Sequence, residues 1–289
     1  MSASASLPAK VRRSRHQRGA TRWIVLAIVA VVAIVVLLPF GVMVLNAFKS
    51  PQDYASSGPL SLPSSLYFGG LTEFWTRVDF PQKFMNSLLI AVTASVGGVL
   101  LSLLNAYALG IGRVRGRTWI IVLFLLANML PHEAMMYPLY FIAKEIGLYN
   151  TQLSVAIIMT VIRSAFGTYL LASVLSTFPR SLLEAAALDG ASRWQVLWRV
   201  VFPIARPTLS VLLVFFFIWT WNEFFFPLVL LVDNTTQTIP VALASLTGQE
   251  LTNAPLINAG ALISMLPTIV FFLIFQRTLA RGITAGSVK

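Results

Sequence analysis

An all-α, polytopic membrane protein with six transmembrane helices and a helical docking loop on the cytoplasmic side is the fold class this sequence predicts. Three observations predict it. Hydrophobic residues make up 57% of the chain and charged residues 11%, a balance outside the range of water-soluble domains. Six apolar runs, at 23–45, 84–109, 118–143, 152–177, 203–232 and 256–279, reach the roughly 20 residues that a helix needs to cross a hydrocarbon core. A bilayer offers no hydrogen-bond partner to an open sheet edge, so these runs must be helices. Third, the basic residues gather in alternate connections, as the positive-inside rule requires of a multi-pass chain.

The chain opens on a Ser-, Ala- and Arg-rich tail, 1–22, expected to be disordered and attracted to anionic lipid. The first run follows at once and resembles a secretory signal in its basic flank. It is longer than a usual signal core, contains Pro39 and Gly41 and precedes no small-x-small cleavage site, so it is read as an uncleaved span. With the external connection 46–83 it makes up a first region, 23–83. A core region, 84–280, holds the other five spans and the docking loop 178–207, and a short tail, 281–289, ends the chain. No internal repeat is evident.

Sixteen of the 21 Lys and Arg residues fall before the first span, in the second and fourth connections, and at the end of the chain. The other connections hold only Lys49, Arg77, Lys83 and Lys144, and Arg163 lies within a span. Both termini and the docking loop are therefore expected in the cytoplasm. The net charge of +11 reports this orientation and does not point to nucleic acid. With no cysteine, thiolate and disulfide chemistry are excluded.

The docking loop reads as two short helices hinged at a glycine. The stretch 182–188 is rich in Ala and Leu and favours helix, and Gly190 can take the positive φ of a helix stop. Downstream, Trp194, Leu197, Trp198 and Val201 recur at helical spacing as one apolar stripe, with Arg193 and Arg199 on other faces. Such a stripe fits the groove of a partner protein or the lipid headgroup layer. The spacing of Glu184, Ala185 and Ala186, then Asp189, Gly190 and Ala191, closed by Pro203 and Pro207, decides between them. It resembles the cytoplasmic EAA loop of ATP-binding-cassette importer permeases. The resemblance implies that Glu184, Ala185, Ala186, Asp189, Gly190, Ala191, Trp194 and Trp198 couple the chain to cytoplasmic ATPase subunits.

Three charges stand where charge is costly. Glu133, Arg163 and Glu223 fall inside the third, fourth and fifth runs, at roughly 2.5 to 3.5 kcal/mol each on insertion scales. Counted from the far ends of their runs they share one depth, so Arg163 is expected to pair with Glu223 or Glu133. Around Glu223 lie Trp219, Trp221 and Asn222, a mixture of flat aromatic faces and groups that donate and accept hydrogen bonds, which suits a sugar. The same residues also serve to pack helices together. As a cluster, Trp219, Trp221, Asn222, Glu223, Glu133 and Arg163 are expected to line a substrate pathway.

The run 221–231, the segment 237–248 with Ile239 and Pro240, and the ending GITAGSVK are similar to the carbohydrate-uptake branch of these permeases. Ile239 stands where Leu is commoner, and the final Gly of the branch is missing. The resemblance implies import of a sugar or sugar derivative by alternating access. It also implies the partners: a second homologous permease, two cytoplasmic ATPase subunits that bind ATP and Mg, an extracytoplasmic solute-binding protein and the lipids of a bacterial or archaeal cytoplasmic membrane. The terminal tail, with Gly282, Gly286 and Lys289, would either thread between the ATPases or form a frayed end.

No GxxxxGK[ST] phosphate loop occurs, so this chain is not expected to hydrolyse ATP or hold a cofactor itself. His132 and Glu133 begin an HExxH pattern, but Met136 takes the place of its second histidine and no metal site is expected. His132 is read as pore-lining or core. The rival reading is a stand-alone, proton-coupled secondary transporter in which Glu133, Arg163 and Glu223 relay protons.

Overall fold

Residues 20–112, 114–249 and 253–285 are described by the computed structural model. Most of the basic tail 1–22, together with Arg113 and residues 286–289, lies outside them. Among the described residues five helices are long and apolar enough to cross a membrane, and a sharply bent pair supplies a sixth crossing if counted as one. No strand occurs among the described residues.

The first helix, α1 (Ala20–Ala47), is apolar on every side, so no face is singled out for burial. It packs along the last helix, α13 (Ala254–Ala285), and its Val and Ile side chains stay exposed on the remaining surface. The helical part of the predicted C-terminal tail thus includes Gly282. At the centre, α4 (Phe80–Ala106) and α7 (Gln152–Ser176) share the most extensive helix–helix packing among the described residues. Small residues permit the approach. A Cβ on Gly97 would lie 3.0 Å from Thr160, and one on Gly167 would lie 2.1 Å from Ser102 Oγ. The Ser102 hydroxyl donates to the carbonyls of Gly98 (2.6 Å) and Ser164 (3.3 Å), which satisfies its buried polar group.

The third predicted run is not one helix. It is split into α5 (Arg117–Met129), a 3-10 turn His132–Met135 and α6 (Met136–Glu145), with a bend of 95° between the two arms. The cause is Pro131, which disfavours helical backbone at the residue before it; Leu130 is extended at φ −67°, ψ 133°. Glu133 therefore sits exposed on the turn at the bend and not inside a helix.

The fifth predicted run is displaced. Its helix starts at Arg193, ten residues earlier than expected, and stops at Trp221. It comprises α9 (Arg193–Gln195), a wide π turn Val196–Val201 and α10 (Phe202–Trp221). The wide turn moves the upstream carbonyls away from the ring of Pro203, which in a regular helix would clash with them. After Trp221 the chain breaks over Asn222–Phe224 and resumes as α11 (Phe225–Leu230).

The connection 46–83 folds into α2 (Pro51–Ser57) and α3 (Gly69–Arg77). Lys49, fully buried, donates to Gly58 O (2.6 Å) and Ser61 Oγ (2.7 Å). Asp53 accepts the Ser64 N–H (3.0 Å), a bond that holds its carboxyl below the usual range. At the same end of the bundle a polar clasp fixes residues 230–239. Asn150, at φ +61°, accepts from Val232 N (2.9 Å), Asp233 N (3.1 Å) and Thr236 Oγ1 (2.9 Å) through one oxygen. Asn86 on α4 donates to the carbonyls of Thr235 (2.8 Å) and Gln237 (2.9 Å), and α12 (Ile239–Gln249) begins with its first N–H on Ser87 Oγ (2.9 Å).

Candidate coupling elbow and translocation cavity

The short helix α8 (Arg180–Leu188) stops by a complete Schellman arrangement. Gly190 takes φ +71°; Ala191 N donates to Ala186 O (3.0 Å) and Gly190 N to Ala187 O (3.1 Å). One residue later the next helix opens on a capping box. Ser192 Oγ accepts from Gln195 N (3.3 Å) and Gln195 Oε1 from Ser192 N (2.7 Å). The predicted glycine turn is present, but the second arm is not a separate short helix: it is the first turn of the helix 193–221.

This continuity splits the predicted stripe. Leu197 and Val201 are buried in a core formed with Leu103, Ala106, Leu109, Leu171 and Leu175, which seats the elbow on the ends of α4 and α7. Trp194 and Trp198 are left outside, 62% and 41% exposed, and Trp198 packs on the ring of Phe202 at 5.4 Å. Ala186 is buried beneath α8, whereas Glu184, Ala185, Asp189 and Gly190 are exposed and Ala191 is half-buried. Leu188, at 90% exposure, and Leu182 are likewise left uncovered. Behind α8 lies a cleft of about 640 Å³ lined by Tyr107, Arg117, Arg180, Glu184 and Arg193 among others, and the Tyr107 hydroxyl donates to Arg193 O (3.1 Å).

A second cavity, of about 470 Å³, opens between α5, α7 and α10. Its walls are Asn128, His132, Ile162, Arg163, Phe166, Ile218, Trp219 and Asn222. Of the two predicted partners of Arg163 the structure selects Glu223: Nη2 lies 3.3 Å from its carboxylate and 3.4 Å from Trp219 O. The guanidinium also lies over the Trp219 ring, 5.7 Å from its centroid, a cation–π arrangement. The Glu133 side chain makes no hydrogen bond or ion pair among the described residues and does not line this cavity, although its neighbour His132 does.

Trp221 is likewise separate. It is buried among Phe84 (5.6 Å), Phe217 (5.6 Å) and the residues around Phe74, since Trp219 and Trp221 point from different sides of one helix. Sequence reasoning missed Asn128, Phe166 and Ile218. The signal for Asn128 was available, an amide in the middle of an otherwise apolar run.

A family model described as "Binding-protein-dependent transport system inner membrane component" matches residues 98–285, well over half of the chain. The chain belongs to this family. It is a permease subunit of that transport class, a multi-pass inner membrane component, and the stand-alone transporter reading finds no support. The permease is 28% identical over 276 residues to the melibiose/raffinose/stachyose import permease protein MelC of Bacillus subtilis, covering 95% of this chain and 99% of the relative. It is 30% identical over 263 residues to the lactose transport system permease protein LacG of Rhizobium radiobacter, covering 91% and 94%. Among solved structures it matches a chain of a bacterial ABC transporter involved in import of the acidic polysaccharide alginate, with a TM-score of 0.78 over 94% of this chain and 99% of that one. At 22% identity that match establishes the fold.

Proposed function

We propose that this permease and a second homologous permease form the translocation pathway for a sugar or sugar derivative, driven by two cytoplasmic ATPase subunits that bind ATP and Mg. An extracytoplasmic solute-binding protein delivers the substrate, and both termini and the elbow face the cytoplasm of a bacterial or archaeal cell. The observation that carries this reading is one continuous helix. It begins at the capped elbow of Ser192 and Gln195 and ends at Trp219–Trp221 beside the cavity. Docking by α8 and the exposed Leu182, Leu188 and Trp194 on an ATPase groove moves the cavity wall directly, and the cavity faces the two sides of the membrane in turn.

Support for the substrate class comes from the names of the relatives, which cover melibiose, raffinose, stachyose and lactose, and from the aromatic and amide lining of the cavity. Support for orientation comes from the basic residues gathered on the elbow side. The test is uptake into proteoliposomes by the complex purified through this subunit, with lactose, melibiose, raffinose and maltose as solutes. ATP-dependent accumulation with co-purified ATPase subunits is expected. Accumulation by this chain alone on a proton gradient, without nucleotide, would overturn the reading.

A further inference from the structure

The charge on the cavity wall is already neutralised, and this sets what the cavity accepts. Arg163 is the one residue with a permanent charge among those lining it. Its side chain is 11% exposed and that of Glu223 is 20% exposed. Glu223 is not among the residues lining the cavity, and the two charges are 3.3 Å apart. A pair this close and this enclosed presents a dipole and no net charge. The Trp219 carbonyl takes the same Nη2 and the face of its ring lies beside the guanidinium, while the buried Nε has no partner among the described residues.

The remaining polar groups are oriented as well. Asn128 Nδ2 donates to Phe124 O (2.7 Å) and Asn222 Nδ2 to Ile218 O (2.8 Å), each to its own helix four residues back. Each amide keeps its second N–H, and both carbonyl oxygens are left without a partner among the described residues, so each side chain still donates as well as accepts. An amide oxygen accepts hydrogen bonds and cannot donate them. It is satisfied by a hydroxyl and repelled by a carboxylate or phosphate oxygen, which carries no proton to give.

We infer that the Arg163–Glu223 pair, with the Asn128 and Asn222 carbonyl oxygens, makes this cavity selective for uncharged, hydroxyl-rich saccharides over acidic ones, and that Glu223 is the residue that sets the selection. The inference rests on the sugar-import reading above and narrows it. Hydroxyls of a neutral sugar donate to the two amide oxygens, and its apolar ring face packs on the exposed part of Trp219. A uronate carboxylate can use only the remaining amide N–H of each Asn, leaves both amide oxygens unpaired, and meets a guanidinium already paired with Glu223. Removing the Glu223 charge frees that guanidinium to pair with a ligand carboxylate.

The test is equilibrium dialysis of the purified transporter complex in nanodiscs, without solute-binding protein, so that upstream selection cannot contribute. The probes are radiolabelled lactose, melibiose and maltose and the 6-carboxylate derivative of each, at millimolar concentration. The wild type should prefer each neutral sugar to its acid by about tenfold. Glu223→Gln should reverse that preference, and Arg163→Met with Glu223→Gln, neutral again, should abolish the gain in acid binding. A purely structural role for the pair would weaken both ligand classes alike in Glu223→Gln and would overturn the inference. Equal binding of neutral and acidic sugars by the wild type would overturn it too, while leaving sugar import intact. Absence of binding by any probe, together with absence of ATP-dependent uptake, would instead remove the sugar-import reading, and this inference with it.

Discussion

Replacing Gly190 by Ala isolates the conformation of the elbow from every contact it makes. A Cβ built at Gly190 meets nothing within 4 Å, so the substitution adds no clash, but φ is +71°, in the left-handed region. An ordinary L residue there costs about 1 to 2 kcal/mol, and a loss of this size shifts an equilibrium by roughly five- to thirtyfold. If the Schellman stop holds α8 and the Ser192 cap in the geometry that ATPase subunits grip, their apparent affinity for the permease falls by that factor. Asn tolerates left-handed backbone far better, so Gly190→Asn should lose much less. The assay is dissociation of ATPase subunits from the purified complex, read beside the ratio of solute moved to ATP hydrolysed. Wild-type values for Gly190→Ala in both measurements, or equal damage from Asn and Ala, would refute the argument.

Two further outcomes follow from the packing. Gly167→Ala places a methyl carbon 2.1 Å from Ser102 Oγ and 2.9 Å from the Phe216 ring; overpacking of this kind costs about 1 to 3 kcal/mol and should lower the melting temperature of the detergent-solubilised protein, whereas Gly248→Ala, with nothing within 4 Å, should not. Asn150→Ala removes the oxygen that accepts from Val232, Asp233 and Thr236. At about 1 kcal/mol for each bond lost, amide exchange at Val232 and Asp233 should speed up by about tenfold or more, and Asn150→Gly, which restores only the backbone, should not rescue it.

The parts of this fold that were legible in the sequence are those fixed by local chemistry. Gly190 announced a helix stop because few other residues take its backbone conformation, and the closely spaced charges Arg163 and Glu223 needed each other inside an apolar medium. What escaped is where proline acts. Hydropathy places Pro131 within a span, yet it extends Leu130 and bends the chain by 95°. Hydropathy begins a span at Pro203, yet a π turn lets the helix pass through it. Both apolar runs are long enough in total, so hydropathy alone does not separate a break from a passage. Trp221 escaped for a different reason: beside Trp219 and Asn222 in the sequence, it is turned away from both by the helical step and buried among Phe84 and Phe217.

The Trp221 cluster lies at one end of a rod whose other end is the elbow. Its 29 residues span about 44 Å at 1.5 Å per residue, without a loop to absorb motion. Tilting it by about 10° around Arg193 would sweep Trp219 sideways by about 7 Å on that geometry, the breadth of a sugar ring. Small angular play at the membrane surface is thereby geared up into opening or closing of a ligand-sized space, and the π turn Val196–Val201, being the least regular stretch along the rod, is where compliance would waste the stroke.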